Sequence, residues 1–334
     1  MSIKRDREIN RLLNMSESSK SCLAVSDRAL QEALERRVGG KLTNPRPRLY
    51  ARKAYWERLG KAERERHIIR GLAKLHPGWI FCHASAAVMH GLPVSWRHLK
   101  RAHILTGEPI PRSKSGVKTQ RHYHKRASLM DEATIGGVRC TSLEDTIVDC
   151  LLAFDFKDGL AIADAALARL GNDGERLERL VRERGRRRPG LRQALETIRW
   201  ADSRSESGGE SIARAVMIEH GFMLPELQVV VGDPSRKGKS WRCDYIWVLA
   251  DGTRVAGELD GLEKYTSPEL TKGQSAVKVM SNERIRESQL TLAVDRVLRF
   301  TWDDVKDEQR LVAKLEQFGI PRTWPTAPVI DSSK

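Results

Sequence analysis

Four acidic residues between positions 210 and 260 have the types and spacing that metal-assisted phosphodiester hydrolysis requires. Glu210 begins a predicted helix, and Asp244 lies in a predicted strand that is followed by a second strand ending in Glu258 and Asp260. If the strands form a hairpin, Asp244 lies beside Glu258, and Asp260 shares a face with Glu258. We expect Asp244 and Glu258 to bind Mg²⁺ or Mn²⁺ through their carboxylate oxygens. Glu210 and Asp260 would complete the site.

A lysine follows the acidic set. Lys264 lies four residues after Asp260, and its ammonium could orient the attacking water or neutralise developing charge. The alternative interpretation is structural. In it the acidic residues are solvated strand ends, and Asp260 with Gly261 is an ordinary turn signal.

A resemblance favours the catalytic interpretation. The segments SESGGES, ELQVVV, WRCDYIWV, RVAGELDG, NERIRESQL and VLRFTWDDV follow one another between residues 203 and 318. In this order they resemble the PD-(D/E)XK nuclease domains of the Vsr-like, very-short-patch-repair type. The resemblance implies a Mg²⁺-dependent DNA endonuclease and a helix whose Arg284 and Arg286 contact DNA. The family's general lysine is Asp260 here, which the Vsr-like branch tolerates, and that branch often has histidine at the position of Lys264.

The net charge predicts a polyanionic partner. The chain of 334 residues carries 59 Lys+Arg and 44 Asp+Glu, a formal net charge of +15. Residues 1–130 hold a net +18 and residues 131–334 a net −3. Nucleic acid is the first expectation, because the basic residues do not form an amphipathic helix suited to a membrane surface. No run of apolar residues is long enough to span a bilayer, and no secretory leader is visible, so a cytoplasmic protein without a membrane partner is expected.

Two basic segments are the candidate phosphate contacts. They comprise Lys41, Arg46, Arg48, Arg52 and Lys53 in a hairpin that we call the basic wing, and Arg186, Arg187 and Arg188 in the run RERGRRRPG, which we call the arginine stripe. A solvated surface without a ligand is the alternative for both. Residues 1–20 are polar and expected to be frayed. The pair Ser26-Asp27 is predicted to cap a helix, and the basic wing follows that helix, as in a winged helix-turn-helix.

The first half also resembles a known family. The pattern L-x-x-P-x-x-x-L-Y from Leu42 to Tyr50, the segment CHASAAVMHGLP and the segment TSLEDTIVD are similar to AbiEi-type antitoxins, over residues 26–200. These proteins have a winged helix-turn-helix followed by a small α/β domain. The resemblance implies DNA binding and repression of the protein's own promoter.

Histidines and cysteines give no complete metal motif. Eight of the nine histidines lie between residues 67 and 124, and His83 and His90 share one face of a predicted helix. No third ligand stands out at a suitable spacing, so a helix packed by its Ala, Val and Met residues is favoured over a metal site. The five scattered cysteines contain no CxxC pair and are expected to be buried thiols in a reducing compartment.

These observations predict an α/β protein with an α+β first half and a restriction-endonuclease-like mixed sheet, flanked by helices, in the second. The expected regions are a DNA-binding region (1–60), an α/β and helical region (61–200), a nuclease domain (203–320) and a tail (321–334). The first functional hypothesis is a DNA endonuclease of phage defence or DNA repair. The second is an antitoxin or transcriptional repressor of a type IV toxin-antitoxin system, with an inactive nuclease-like domain and a cognate toxin or defence-system protein as partner.

Overall fold

The chain forms two compact units, residues 1–150 and residues 151–334. The structure is a computed structural model, and it describes residues 3–108, 119–124, 131–233, 238, 240–260 and 290–324. Helices and several small sheets occur in both units, which confirms the predicted mixed α/β class. Among the described helices, none is long and apolar enough to cross a membrane.

The first unit opens with a three-stranded antiparallel sheet and two helices. In chain order these are α1 (Ile3–Ser18), β1 (Leu23–Ala24), α2 (Arg28–Glu35), β2 (Leu42–Arg46) and β3 (Leu49–Arg52). The sheet has the order β1-β3-β2, and β2 and β3 form the hairpin that carries the basic wing. Along the chain, helix α2 lies between β1 and this hairpin.

Two local predictions have opposite outcomes here. The carboxylate of Asp27 accepts a hydrogen bond of 2.7 Å from the backbone N–H of Leu30, so Asp27 caps α2 as predicted. The expectation that residues 1–20 are frayed is wrong, because α1 buries Ile9 and Leu13 in a cluster with β1 and α2. Only a narrow face of α1 is apolar, and the helix is ordered because that face packs against the sheet.

The rest of the first unit surrounds a buried phenylalanine. Its elements are α3 (Lys53–Arg58), α4 (Lys61–Leu75), α5 (His83–His90), a 3-10 helix (Trp96–Leu99), β4 (Ala102–Thr106), β5 (Thr119–Tyr123), β6 (Glu132–Ile135), β7 (Val138–Thr141) and α6 (Leu143–Ala153), which ends beyond the unit boundary. Strands β4 and β5 are parallel, and β6 and β7 are antiparallel. Phe81 is fully buried and bridges to Ile104 of β4 and Cys140 of β7, so it joins the two pairs of strands.

The second unit contains the largest sheet. Its further elements are α7 (Phe156–Arg169), α8 (Gly174–Arg184), α9 (Leu191–Ile198), α10 (Gly208–Glu219), β8 (Glu226–Gly232), β9 (Ser240–Val248), β10 (Arg254–Asp260), β11 (Arg296–Thr301), α11 (Trp302–Lys306) and α12 (Glu308–Gln317). The sheet order is β11-β10-β9-β8, with β10 and β11 parallel and the other pairs antiparallel, so the sheet is mixed. Tyr245, Trp247 and Phe300 are buried in one core with residues of α10 and α12.

A buried ion pair joins the helices of the second unit. Arg214 of α10 donates to both carboxylate oxygens of Asp164 on α7, at 2.7 and 2.9 Å, and also to the carbonyl of Trp200 at 2.7 Å. Asp164 is 1% exposed and Arg214 is 5% exposed. Helices α7 to α9 thus lie in the unit that contains the mixed sheet. They belong to the predicted region 61–200, which the boundary between the two units divides.

Candidate functional site

Two of the predicted ligands lie at neighbouring positions of adjacent strands. The antiparallel register of β9 and β10 pairs Tyr245 with Gly257, and the next positions along the two strands are Asp244 and Glu258. The backbone N–H of Leu259 donates to Oδ2 of Asp244 at 3.0 Å, which fixes the Asp244 carboxylate against β10. Glu258 is buried, with 7% of its surface exposed. The hairpin therefore carries both acidic groups at one end of β10.

Glu210 occupies the first turn of α10, where its side chain has a capping role. Ser207 caps this helix, and the carboxylate of Glu210 accepts hydrogen bonds from the Glu206 N–H at 2.9 Å and from Ser207 Oγ at 2.7 Å. In return, the backbone N–H of Glu210 donates to Ser207 Oγ at 3.2 Å, so Ser207 and Glu210 bind each other at the start of the helix. Burial raises the pKa of Glu210, these hydrogen bonds lower it, and the negative charge of Asp244 raises it. Asp244 therefore lies near enough to Glu210 for its charge to act on this carboxylate.

Backbone contacts hold α10 against the sheet at this point. The hydroxyl of Tyr245 donates to the carbonyl of Glu210 at 3.0 Å. A Cβ at Gly209 would lie 2.9 Å from Cδ2 of Leu259, so the glycine permits the first turn of α10 to approach β10 closely. These contacts bring the turn that carries Glu210 to the strands that carry the other carboxylates.

Gln228 is a member of the site that the sequence did not reveal. Its amide Nε2 donates to Oε2 of Glu210 at 3.0 Å. Its φ of +55° is in the left-handed region, although the residue lies inside β8, between the register pairs Leu227–Tyr245 and Val229–Cys243. Strained backbone of this kind concentrates at functional sites. A glutamine in the segment ELQVVV gives no sequence signal for it.

Asp260 is bound to Arg299, which is not among the site residues predicted from the sequence. Arg299 of β11 lies 3.3 Å from both carboxylate oxygens of Asp260 through one guanidinium nitrogen. The parallel register pairs Arg299 with Glu258, so the positive charge adjoins the acidic end of β10. The available signal was an arginine within the apolar strand VLRFT. Lys264, Arg284 and Arg286 lie outside the described residues.

Two arginines of the basic wing are bound within their own unit. Arg46 donates to the carbonyl of Leu99 at 3.1 Å, and Arg48 donates through Nε to the carbonyl of Val25 at 3.0 Å. The φ of Arg48 is +64°, as the tight turn between β2 and β3 requires. Both side chains therefore stabilise the hairpin in this structure.

The other wing residues differ in exposure. Arg52 forms an ion pair of 2.9 Å with Glu17 of α1. Lys53 is exposed and lies 3.9 Å from Glu57 one helical turn away, which is a weak surface pair. Lys41 is exposed. Lys41 and Lys53 are thus the wing cations with the most accessible charges.

The arginine stripe lies between α8 and α9. Arg186 and Arg187 are exposed, and Arg188 is half-buried. The turn ends at Gly190, whose φ is +87°. A Cβ at this position would lie 2.1 Å from the carbonyl oxygen of Leu152, so the backbone of the stripe is held close to the end of α6.

Comparisons with known proteins give relatives without an assigned activity. No protein-family model matches the chain. Two Mycobacterium tuberculosis proteins, MT2308 of strain CDC 1551 and Rv2248 of strain H37Rv, both named as uncharacterized, are each 30% identical to it over 238 residues. The matched segment covers 71% of this chain and 79% of each relative.

Proposed function

This chain belongs to the family of the Mycobacterium tuberculosis proteins Rv2248 and MT2308, and we propose that it is a Mg²⁺-dependent endonuclease that cleaves DNA phosphodiesters. The observation that carries the proposal is the acidic end of the β9–β10 hairpin. Asp244 and Glu258 lie there on adjacent strands, and the Asp244 charge acts on Glu210 of α10. The resemblance of the sequence to Vsr-like nucleases points to the same three residues.

The donor set fits a hard divalent cation. Asp244 and Glu258 offer carboxylate oxygens, which Mg²⁺ and Mn²⁺ prefer, and the site holds no thiol or imidazole among its described members. Burial, and to a smaller extent the charge of Asp244, raises the pKa of Glu210, and a divalent cation beside these carboxylates would favour their charged forms. When bound, the metal would polarise the phosphate and lower the pKa of a water molecule.

The residues around Asp244 and Glu258 would hold these ligands in place or add positive charge beside them. Glu210 organises the first turn of α10 and holds the amide of Gln228, while the Leu259 N–H orients the Asp244 carboxylate. The guanidinium of Arg299, next to Glu258 in the register, supplies positive charge for a phosphate that approaches the acidic strand end. Asp260 holds that guanidinium in place.

DNA binding is assigned to the accessible cations. Lys41 and Lys53 on the wing and Arg186 and Arg187 on the stripe are exposed, so they can reach phosphates. Phosphate contacts position a protein without reading sequence, which suits an enzyme whose chemistry occurs elsewhere on the chain. The proposed setting is the cytoplasm, in phage defence or DNA repair.

A cleavage assay with matched variants tests the proposal. The full-length protein, Glu258→Gln and Asp244→Asn are incubated with duplex, mismatched and single-stranded DNA, with Mg²⁺, with Mn²⁺ or with EDTA. We expect metal-dependent cleavage by the wild type and a loss of at least about 100-fold in both variants. Glu226→Gln, an exposed carboxylate of the same sheet, is the control and should cleave normally. Intact DNA in every wild-type reaction, or full activity in Glu258→Gln, would contradict the proposal.

One observation favours a second function, that of a repressor or antitoxin with an inactive nuclease-like domain. The residue two positions after Glu258 is Asp260, bound to Arg299, where the nuclease family has its general lysine. In this case the protein would bind its own promoter, and a toxin or defence-system protein would be its partner. Promoter footprinting separates the two functions. Sequence-specific binding that survives Asp244→Ala, without cleavage by the wild type, would favour the repressor.

A further inference from the structure

A thiol and two imidazoles converge in the first unit. One donor atom each from Cys82, His83 and His122 lies within 4.8 Å of the other two. His90, which shares a helical face with His83, is not in this cluster, and its Nε2 lies 2.8 Å from the carbonyl oxygen of Thr141. The third donor comes from a residue 39 positions after His83 in the chain, and helical spacing could not indicate it.

Two elements position these donors. Cys82 occupies the N-cap position of α5, and His83 is the first residue of that helix, with a φ of +47°. Such a φ is uncommon for a residue other than glycine and marks a strained backbone at the start of the helix. His122 lies on β5, which is parallel to β4. The backbone N–H of Cys82 donates to the carbonyl of His103 on β4 at 3.1 Å, which ties the start of α5 to the strands.

A chain of hydrogen bonds sets the orientation of His122. Nε2 of His103 lies 2.8 Å from the carbonyl oxygen of His98, so this nitrogen carries the proton and donates. Nδ1 of His103 then accepts, and its partner at 2.8 Å, Nε2 of His122, donates. In neutral His122 the lone pair is therefore on Nδ1. A ring nitrogen that donates to a second residue is the usual arrangement of a metal-binding histidine, because it fixes the tautomer and the orientation of the ring.

His83 has a comparable partner. Oδ2 of Asp149 lies 3.7 Å from Nε2 of His83, and Asp149 is 3% exposed. A small rotation of the imidazole would convert this ion-pair distance into a hydrogen bond. Nδ1 of His83 would then bear the lone pair, as in the carboxylate–histidine–metal arrangement of protein zinc sites.

We propose that Cys82, His83 and His122 bind a Zn²⁺ ion. A thiolate with two imidazoles is a zinc donor set, unlike the all-oxygen set at Asp244 and Glu258. Zinc–sulfur and zinc–nitrogen distances of about 2.3 and 2.0 Å place tetrahedral donors roughly 3.5 Å apart. The donor atoms, all within 4.8 Å of one another, must therefore move closer by up to about 1 Å when the ion binds. The rings of His83 and His122 stack with centroids 3.6 Å apart and must tilt for both nitrogens to face the ion.

Burial indicates what the ion does. Cys82 has no exposed surface and His83 is 9% exposed, so a substrate cannot reach the thiol, whereas a single ion can be enclosed. Water can complete the coordination from the side of the half-buried His122. The site would join the N-terminus of α5 to β5 and stabilise the first unit, so it is independent of the proposed nuclease chemistry.

Zinc content of the full-length protein tests the inference. After exposure to Zn²⁺ and extensive dialysis, we expect about one zinc per chain in the wild type by elemental analysis. Cys82→Ser and His122→Ala should lose it, while Cys22→Ser, a buried thiol of another cluster, should retain it. His103→Ala, which removes only the partner of His122, should weaken zinc binding about 10- to 100-fold.

Cobalt supplies a readout that does not depend on stability. Co²⁺ bound to the wild type should give thiolate-to-metal charge-transfer absorption, and Cys82→Ser should lack it. If Cys82→Ser does not fold, His122→Ala carries the test, because its side chain is only partly buried. A wild type that takes up no zinc, or zinc retained in full by the cluster variants that fold, would overturn the inference.

Discussion

The amide of Gln228 donates a hydrogen bond of 3.0 Å to Oε2 of Glu210, which joins an irregular point of β8 to the first turn of α10. Glu210 also accepts a hydrogen bond from the hydroxyl of Ser207, the residue that caps that helix. One carboxylate therefore connects the helix terminus to the sheet, beside the strand that carries Asp244. The acidic site depends on this connection, because α10 and β8 meet there through side chains.

Substitutions of Gln228 should separate its hydrogen bond from its backbone strain. Both Gln228→Ala and Gln228→Gly remove the bond to Glu210, but only glycine adopts a φ of +55° without a steric penalty. We expect Gln228→Gly to be more stable than Gln228→Ala by about 1 kcal/mol in urea unfolding. Both should show the same reduced cleavage. Equal stability of the two variants would mean that the backbone relaxes when the amide is removed.

Removal of one partner of the ion pair between Asp164 and Arg214 should lower the free energy of unfolding strongly, whereas replacement of both partners should not. Asp164→Ala leaves a buried guanidinium without its carboxylate, so we expect a loss of about 3–5 kcal/mol in the free energy of unfolding. The double variant Asp164→Leu with Arg214→Met should recover much of that loss, because no charge remains buried. A double variant less stable than Asp164→Ala would contradict this account.

Glu65 should make the first unit less stable as the pH rises. Burial raises its pKa from 4.5 to about 7, and the charge of Arg46 lowers it only in part. The folded chain therefore holds a proton that the unfolded chain releases between about pH 4.5 and 7. The stabilisation is complete below pH 4.5 and is lost as the pH rises through 7.

A neutral substitution of Glu65 tests the direction of this pH dependence. Glu65→Gln should stabilise the protein at pH 8 by about 2–3 kcal/mol and have little effect at pH 4.5. The measurement is urea unfolding of both proteins at the two pH values. A wild type whose stability relative to Glu65→Gln rises with pH would show that the carboxylate is stabilised as an anion.

The turn at the arginine stripe should not tolerate a side chain at its last position. Gly190→Ala places a Cβ 2.1 Å from the carbonyl oxygen of Leu152 and also requires a φ of +87°. We expect a loss of more than about 3 kcal/mol, since both backbone segments must move. Gly171→Ala is the matched control, with a φ of +75° and open space around its Cβ, and should lose about 1 kcal/mol. Thermal unfolding compares them.

The salt dependence of DNA affinity should reflect phosphate contacts made by the exposed arginines of the stripe. Replacing Arg186 and Arg187 together by alanine should reduce the slope of log Kd against log salt concentration by about 2, with similar losses for unrelated DNA sequences. Arg310→Ala, an exposed arginine of α12, is the control and should leave the slope unchanged. Fluorescence anisotropy over a salt series measures the slope. An unchanged slope in the double variant would exclude the stripe as a phosphate contact.

Local features of this protein followed from the sequence because their causes are local. Asp27 caps α2, as predicted for the pair Ser26-Asp27, and Asp244 and Glu258 lie on the two strands of a hairpin, as predicted. Capping and alternation act over a few residues, so one sequence window contains the interacting groups. The α/β class and the spacing of the acidic residues were determined at this level.

Other features were decided by packing between distant segments. The burial of α1 requires β1 and α2 beneath it, and the strained φ of Gln228 appears only when β8 pairs with β9. Arg46 and Arg48, which were predicted as phosphate contacts, donate to backbone carbonyls in this structure, a packing that the sequence did not indicate. The reason is that a guanidinium binds whichever acceptor the folded chain presents to it.

The Cys82–His83–His122 cluster illustrates the same limit most clearly. The pair at the start of α5 is visible in the sequence, but its third member belongs to β5, and the parallel pairing of β4 and β5 determines where that strand lies. The sequence by itself determined which chemical groups the chain contains and which elements carry them. Tertiary structure decided which groups meet, because strand register and helix packing set the distances between residues far apart in the chain.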